Sequence, residues 1–188
     1  MQLKLRALAE IPVLSGAQNG RAMLGKLLDA VATEPAEPEP LFLDFAGVYV
    51  ATSSYLRESV IALRDIIRGR HSRLYPVIAN ANETVSEELL EVLKSRGSAI
   101  MACKLAADGA VSEAAPLGEL DPKQGITFKL VAEGGTTDAA QLMRQHGAAE
   151  GIRQTAWNNR LAALATLGLV VELSEGRAKR YRPLFALP

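Results

Sequence analysis

The chain has 188 residues, of which 48% are hydrophobic, and its 21 basic and 21 acidic side chains balance each other. This length suits one large or two small domains with a packed core, and no apolar run approaches the roughly 18 residues that a membrane helix needs. The N-terminal sequence lacks the long apolar core of a signal peptide, and the single cysteine, Cys103, cannot form an internal disulfide, so we expect a cytoplasmic protein with no membrane partner.

Strands and helices are predicted in alternation from the beginning of the chain. Polar and apolar residues alternate over residues 2–8, which predicts a first strand, and Val13-Leu14 predicts a short second one. Apolar residues recur at helical spacing over residues 21–32, which predicts an amphipathic helix. The proline-rich segment EPAEPEP, residues 34–40, cannot continue that helix and is predicted to be a connection.

The strongest strand signal is the run LFLDFAGVYV, residues 41–50. A nearly continuous apolar run of this kind is typical of a central strand that is buried on both faces. Thr52, Ser53 and Ser54 follow it, and their hydroxyl groups are suited to cap a helix predicted over residues 55–68.

The same alternation continues through the next forty residues. A strand is predicted over residues 74–79. Thr84 is expected to begin a helix, with Glu87 as its capping-box partner, and Gly97 to close it. A further strand is predicted over residues 98–104. Alternating strands and helices predict an α/β unit with a mostly parallel sheet.

Residues 41–63 resemble the core of a STAS domain, the fold of anti-anti-sigma factors. In that family an apolar strand, an aspartate and Gly-Val lead to an Asp-Ser-Ser loop that opens a helix. The matching positions here are Leu43, Asp44, Gly47, Val48, Ser53, Ser54 and Leu56. Tyr55 and Glu58 bring the chain closer to the STAS-like domains of unknown function. The resemblance covers residues 1–105 and implies a mixed sheet with helices.

The STAS resemblance also implies a modification site. In anti-anti-sigma factors the first serine of the loop is phosphorylated by a partner kinase, which corresponds to Ser53, with Ser54 beside it. A phosphate at a helix N-terminus is favoured by the free backbone N–H groups and the helix dipole. Thr52 stands where the family usually has aspartate. Helix capping alone also accounts for these three hydroxyl residues, so both interpretations stay open.

A change of composition marks the second half of the chain. Residues 106–120 are rich in alanine, glycine and proline and are predicted to be a linker. Asp121-Pro122 is expected to begin a helix that runs to about residue 133. A second helix is predicted over residues 138–146, and residues 147–151 form the turn that follows it.

Residues 151–187 predict a long helix and a hairpin. The apolar stripe of the helix consists of Trp157, Leu161, Leu164 and Leu167. Gly168 stands where a glycine usually ends a helix. A β-branched run over residues 170–173, a turn at Glu175-Gly176 and a return strand over residues 177–184 complete the hairpin.

This order of helix, Leu-Gly-Leu-Val, short hairpin and basic return strand resembles the winged helix-turn-helix of bacterial transcription regulators. The positions that match in register are Leu161, Leu164, Leu167, Gly168, Leu169 and Val170. The resemblance implies a recognition helix in the major groove of duplex DNA, with the wing against phosphates or a minor groove. The alternative is an ordinary helix and hairpin with a solvated basic edge.

The side chains that lie off the apolar stripe are types that bond to base edges and phosphates. The predicted DNA contacts are Arg153, Gln154, Thr155, Asn158, Asn159 and Arg160 on the helix, and Arg177, Lys179, Arg180 and Arg182 on the return strand. The charge distribution agrees with this prediction. Residues 122–188 contain 9 Lys+Arg against 5 Asp+Glu, whereas residues 1–121 contain 12 against 16.

No motif in the sequence indicates catalysis. His71 and His146 lie far apart, with no cysteine at ligand spacing, which argues against a metal site. Glycines 16, 20 and 25 do not form a phosphate-binding or dinucleotide fingerprint. We therefore predict that the protein is not an enzyme and holds no cofactor.

The sequence thus predicts an α/β fold in two domains: a STAS-like domain over residues 1–105, a linker over 106–120 and a winged helix-turn-helix over 121–188. The expected function is that of a DNA-binding transcriptional regulator, acting as a homodimer. Its STAS-like domain would sense a signal, dimerise, or bind a partner kinase or regulatory protein. The alternative is a non-catalytic protein–protein signalling module phosphorylated at the Ser53 loop. Four cations in the return strand favour DNA, because a protein-binding surface has no need for them.

Overall fold

A computed structural model describes residues 1–175 and 178–185. The chain divides into two compact units, Met1–Glu119 and Leu120–Pro188. Within the described residues, helices and strands together form an α/β structure with a mixed sheet. No helix in this part of the chain combines the length and the apolar character needed to cross a membrane.

The first unit contains a five-stranded sheet and a two-stranded one. The strands are β1 (Gln2–Lys4), β2 (Val13–Leu14), β3 (Glu39–Asp44), β4 (Val50–Ala51), β5 (Leu74–Ala79), β6 (Ala99–Leu105) and β7 (Val111–Gly118). In the larger sheet the order is β1-β3-β5-β6-β7, with the first four strands parallel and β7 antiparallel to β6. The prediction of a mostly parallel sheet is therefore confirmed. β2 pairs with β4 in a small parallel sheet of its own.

Five helical segments connect these strands. They are α1 (Leu5–Ala9), α2 (Ala17–Ala30), α3 (Ser53–Leu56), α4 (Ala62–Gly69) and α5 (Glu83–Ser95), with a π-helical segment over Arg57–Ile61 that joins α3 to α4. Thr52 caps α3, since its hydroxyl oxygen accepts a hydrogen bond from the backbone N–H of Tyr55. Helix capping by Thr52 is thus present as the sequence predicted.

The core of this unit forms between the helices and the sheet. Parallel strands that follow one another along a sheet, joined by right-handed crossovers, bring their connecting helices to the same face. Leu43 of β3 and Ile78 of β5 are fully buried there, together with Leu27 of α2, Leu63 of α4 and Leu89 of α5. Burying side chains of this size stabilises the fold by about 2 kcal/mol each.

Two predictions in the first unit are wrong. Residues 2–8 were predicted to form one strand, but β1 ends at Lys4 and α1 follows at once. The sequence Leu-Arg-Ala-Leu-Ala of α1 consists of strong helix formers, and this propensity prevails over the apparent alternation. The capping box of Thr84 and Glu87 is also absent. Asn82 caps α5 instead and accepts a hydrogen bond from Val85 N at 2.9 Å.

The predicted linker over residues 106–120 is wrong as well, because most of it forms β7. This strand pairs with β6 on one side only, and an edge strand tolerates the missing N–H of Pro116. At its end, Gly118 has φ +108°, and a β-carbon there would lie 2.4 Å from the carbonyl oxygen of Ser98. The proline that suggested a linker is therefore tolerated at a sheet edge, and the glycine is required by its positive φ and by the close approach of Ser98.

In its described residues, 120–175 and 178–185, the second unit consists of three helices and a hairpin. Its elements are α6 (Pro122–Gly134), α7 (Ala139–Glu150), α8 (Gln154–Leu167), β8 (Val170–Glu175) and β9 (Ala178–Pro183). β8 and β9 are antiparallel, with Glu172 opposite Tyr181. Thr137, between α6 and α7, pairs with Tyr181 through two backbone hydrogen bonds of 2.8 Å. This bridge ties the hairpin to the segment that joins the first two helices.

Candidate nucleic-acid interface

The candidate interface begins with the turn between α7 and α8. Gly151 ends α7 with φ +63°, and its N–H donates to the carbonyl of Gly147. Three residues, Gly151, Ile152 and Arg153, separate the two helices. Two helices joined by a short turn that contains glycine are typical of the helix-turn-helix motif. At the other end, Gly168 caps α8 with φ +78°, as its position in the sequence predicted.

α8 has one buried and one exposed face. Trp157, Leu161 and Leu164 are fully buried, so the predicted apolar stripe is confirmed for these three residues, and Leu167 is half-buried. The predicted DNA contacts Gln154, Thr155, Asn158 and Asn159 are all exposed. On a helix, residues four apart lie side by side, so these four side chains form two adjacent pairs. The first two turns of α8 therefore present a continuous polar surface, here called the α8 polar face.

The N-terminus of α8 differs from those of α6 and α7. Asp121 caps α6 and Asp138 caps α7 through carboxylate oxygens that accept backbone N–H groups. The capping position of α8 is held by Arg153, which is exposed and makes no side-chain capping bond. The positive end of this helix thus carries a cation and no carboxylate, which is the electrostatic arrangement that favours a phosphate.

Arg160, which was predicted to contact DNA, is only partly exposed. The residue is half-buried, and its guanidinium carbon lies 5.2 Å from the centre of the Trp157 ring. One of its terminal nitrogens, Nη1, is buried without a hydrogen-bond partner among the described residues, as is Nε1 of Trp157. Arg160 therefore covers the indole ring, and its charge is set back from the α8 polar face.

The basic side chains that are clustered in the sequence of the return strand lie on different faces of the hairpin. Because successive side chains of a strand point to opposite faces, Lys179 lies on one face of β9, and Arg180 and Arg182 on the other. Lys179 is 60% exposed, and its Nζ lies 2.8 Å from a carboxylate oxygen of Glu172. Glu172 thus offsets part of the predicted positive charge. Arg177, the fourth predicted cation, lies outside the described residues.

Two features of this unit escaped prediction from the sequence. The bridge between Thr137 and Tyr181 involves a single residue on one side, which is too short for any periodic pattern. Glu172 lies opposite Tyr181 and diagonal to Lys179, a relation that exists only once the hairpin register is known. Threonines 136 and 137 are β-branched, but two residues are too few to predict a strand.

The serine loop of the first unit has an acidic neighbour. A carboxylate oxygen of Glu88 accepts a hydrogen bond of 2.6 Å from the backbone N–H of Ser53. Ser54 Oγ lies 3.2 Å from the hydroxyl oxygen of Thr52. A phosphoryl group on Ser53 would meet the charge of Glu88 and compete with it for the N–H group, which is unfavourable. Because Ser53 and Glu88 lie 35 residues apart in the chain, no sequence pattern predicts this contact.

Asp44 and Cys103 lie near the carboxyl ends of their strands, where a site would be expected. The carboxylate of Asp44 is buried and accepts hydrogen bonds from Gln2, Ala46 and Asn80. Burial, together with the charge of Asp44, raises the pKa of the Cys103 thiol to about 11. The Asp44 carboxylate therefore holds strand ends together, and the Cys103 thiol lacks the lowered pKa of a reactive cysteine.

Comparison of the sequence with models of known protein families and with curated proteins gives no match.

Proposed function

We propose that the second unit is a winged helix-turn-helix and that the protein is a DNA-binding transcriptional regulator of a bacterium. The order of three helices and a hairpin, with a three-residue turn between α7 and α8, supports this assignment. The bridge from Thr137 to Tyr181 supports it further, because it fixes the hairpin beside the helices.

The observation that carries the proposal is the α8 polar face. Asparagine and glutamine can bond to adenine with two hydrogen bonds, and threonine can bond to bases or contact a thymine methyl group. These side chains are exposed together at the beginning of α8, and buried Trp157 and Leu161 anchor the opposite face of the helix. This arrangement suits insertion into a major groove. Arg153 at the helix N-terminus would contact a phosphate.

The hairpin would supply the second set of contacts. Arg180 and Arg182 share one face of β9 and would lie against the DNA backbone, with Lys179 at the edge. A single module of this kind binds weakly, so we propose a homodimer that reads two half-sites. The STAS-like unit would dimerise, sense a signal or bind a regulatory protein. Such a regulator would work in the cytoplasm, where the bacterial chromosome lies.

Two variants distinguish contacts to DNA bases from contacts to DNA phosphates. A preferred duplex is first selected from a random pool with the whole chain. Asn158→Ala should lower affinity for that duplex about tenfold or more while leaving affinity for random duplex unchanged, because it removes a base contact. Lys179→Ala should weaken binding to both duplexes and reduce the salt slope by about one. The fluorescence of Trp157, the single tryptophan of the chain, provides an independent readout on α8 itself.

The control is Lys94→Ala, which removes the same charge from an exposed position of α5 in the other unit. It should leave both affinities unchanged. If Asn158→Ala and Lys179→Ala both bind as the original protein does, the α8 polar face and the hairpin are not the DNA surface. If no duplex binds, the alternative function, a protein–protein signalling module modified at Ser53, replaces the proposal.

A further inference from the structure

The exposed side of α8 has a composition that bears on which bases this helix would contact. The structure describes α8 over its whole length, and the exposed residues of the helix are Gln154, Thr155, Asn158, Asn159, Ala162 and Thr166. At about 100° per residue, they lie within an arc of about 140° that is centred on Ala162. The α8 polar face therefore continues into a stretch of small side chains further along the helix.

None of the exposed residues of α8 is charged. A solvated helix face ordinarily carries charged side chains beside the polar ones. The charged residue that α8 does contain, Arg160, lies about 160° from the centre of the exposed arc. Its guanidinium group is held over the Trp157 ring, and the residue is half-buried. The exposed side of α8 can thus form hydrogen bonds and apolar contacts, but no ion pairs.

The three amide groups on this side of α8 are available to a partner. The side chains of Gln154, Asn158 and Asn159 make no hydrogen bond within the described part of the chain. By contrast, the amide of Asn80 in the first unit joins two strand ends, through hydrogen bonds made by both its nitrogen and its oxygen. A free amide offers a donor and an acceptor side by side, which match N6 and N7 of adenine in the major groove.

The same comparison can be made for each base. Guanine is bound most often by arginine or lysine, and the N4 group of cytosine donates to glutamate or aspartate. Adenine is bound by asparagine or glutamine, and the thymine methyl group contacts alanine or the methyl group of threonine. The exposed side of α8 contains partners for adenine and thymine, and it lacks the charged partners of guanine and cytosine.

We propose that α8 reads a half-site of A·T base pairs. Its three amides would bond to adenines, and the methyl groups of Thr155 and Ala162 would contact thymines. Thr166 donates its hydroxyl group to the carbonyl of Ala162, so this hydroxyl proton is not available to a base. The inference rests on the proposed function and adds to it the class of DNA sequence that is recognised.

The experiment changes single groups of the DNA. The whole chain first selects a preferred duplex from a random pool, and fluorescence anisotropy then gives dissociation constants for modified copies of that duplex. 7-Deazaadenine lacks the N7 acceptor but keeps its Watson–Crick pairing, so it should weaken binding about tenfold at each contacted adenine. Uracil in place of a contacted thymine removes the methyl group and should weaken binding a few-fold. 7-Deazaguanine should have no effect at any position.

Two variants at one position assign the adenine contact to α8. Asn158→Ala should bind the 7-deazaadenine duplex and the unmodified one equally at one position of the half-site, because the contact is already lost. Asn158→Arg should change the preferred base at that position from adenine to guanine, since a guanidinium group bonds to guanine O6 and N7. The matched control is Gln18→Ala, which removes an exposed amide from α2 in the other unit and should leave affinity and base preference unchanged.

A half-site that depends on adenine N7, together with a guanine preference in Asn158→Arg, would support the proposal. A preferred half-site without adenine, or equal losses with 7-deazaguanine and 7-deazaadenine, would overturn the A·T assignment and leave DNA binding intact. An unchanged base preference in Asn158→Arg would do the same. The absence of binding to any duplex at low salt would instead overturn the proposed function, and this inference with it.

Discussion

At the scale of single residues, the contact between Ser53 and Glu88 determines whether a negative charge added at Ser53 stabilises or destabilises the fold. An acidic residue at the beginning of a helix is normally favourable, because it meets the positive end of the dipole. Here the Glu88 carboxylate already accepts from the N–H of Ser53. We expect Ser53→Asp to be less stable than Ser53→Asn by about 0.5 kcal/mol through like-charge repulsion.

Urea denaturation of the two variants measures this difference, and the same pair in a Glu88→Gln background is the control. Removing the carboxylate charge should abolish the difference or reverse its sign. A Ser53→Asp variant that is as stable as Ser53→Asn in the original background would show that Glu88 does not oppose a phosphate at this loop.

The thiol of Cys103 should be unreactive in the folded protein. Its pKa of about 11 lies well above that of an ordinary thiol, so at pH 8 only about one thiol in a thousand is ionised. We expect DTNB to label Cys103 slowly at pH 8, and rapidly after unfolding in urea. The unfolded chain ionises first, so the thiol also lowers stability as the pH rises from about 9 towards 11. Rapid labelling of the folded protein at pH 8 would contradict this account.

At the scale of secondary-structure elements, two glycines of α2 provide a matched pair. A β-carbon at Gly20 would lie 2.7 Å from the backbone carbonyl oxygen of Tyr55, whereas at Gly25 it would meet no heavy atom within 4 Å. Gly20→Ala should therefore destabilise the protein by about 1–3 kcal/mol through overpacking. Gly25→Ala should stabilise it by up to about 1 kcal/mol through helix propensity.

Chemical denaturation of both variants is the measurement, and each serves as the control for the other. Equal effects of the two substitutions would mean that α2 does not pack closely on the helix that begins at Ser53.

Sequence patterns predicted the elements that have strong periodicity or clear end signals. β5 was recognisable from its apolar run, and α8 from its stripe and from Gly168. The apolar run over residues 41–50 located β3, but the prediction of one strand over the whole run is wrong, because β3 ends at Asp44 and Val50–Ala51 forms β4 in the smaller sheet. β7 was not, because an edge strand buries little and can contain the proline and glycine that usually mark a linker. α1 was missed because five residues are too few to separate helical from strand periodicity.

Part of the candidate site could also be predicted from helical periodicity. The exposure of Gln154, Asn158 and Asn159 follows from helical geometry once the stripe is known. The pairing of Lys179 with Glu172 depends on the register of β8 with β9, and the contact between Glu88 and Ser53 joins residues 35 apart in sequence. Such pairs cannot be predicted from sequence patterns, because they depend on how the elements pack in the fold.

At the scale of the whole molecule, the two units differ in the sign of their net charge. Leu120–Pro188 contains nine basic and six acidic residues, whereas Met1–Glu119 contains twelve and fifteen. The two excesses cancel in the net charge of the chain, so that total conceals a basic unit suited to nucleic acid. The net negative charge of the first unit would be repelled by DNA, which agrees with the sensing or partner role proposed for it above.

The most direct test of the central claim is the salt dependence of duplex binding by the whole chain. Fluorescence anisotropy with a labelled random duplex, from about 50 to 200 mM salt, gives the slope of affinity against salt, and light scattering gives the mass of the binding species. The account predicts binding at low salt by a dimer, with a slope of about −0.9 for each phosphate contacted. No binding at the lowest salt concentration, or binding that salt does not weaken, would contradict it.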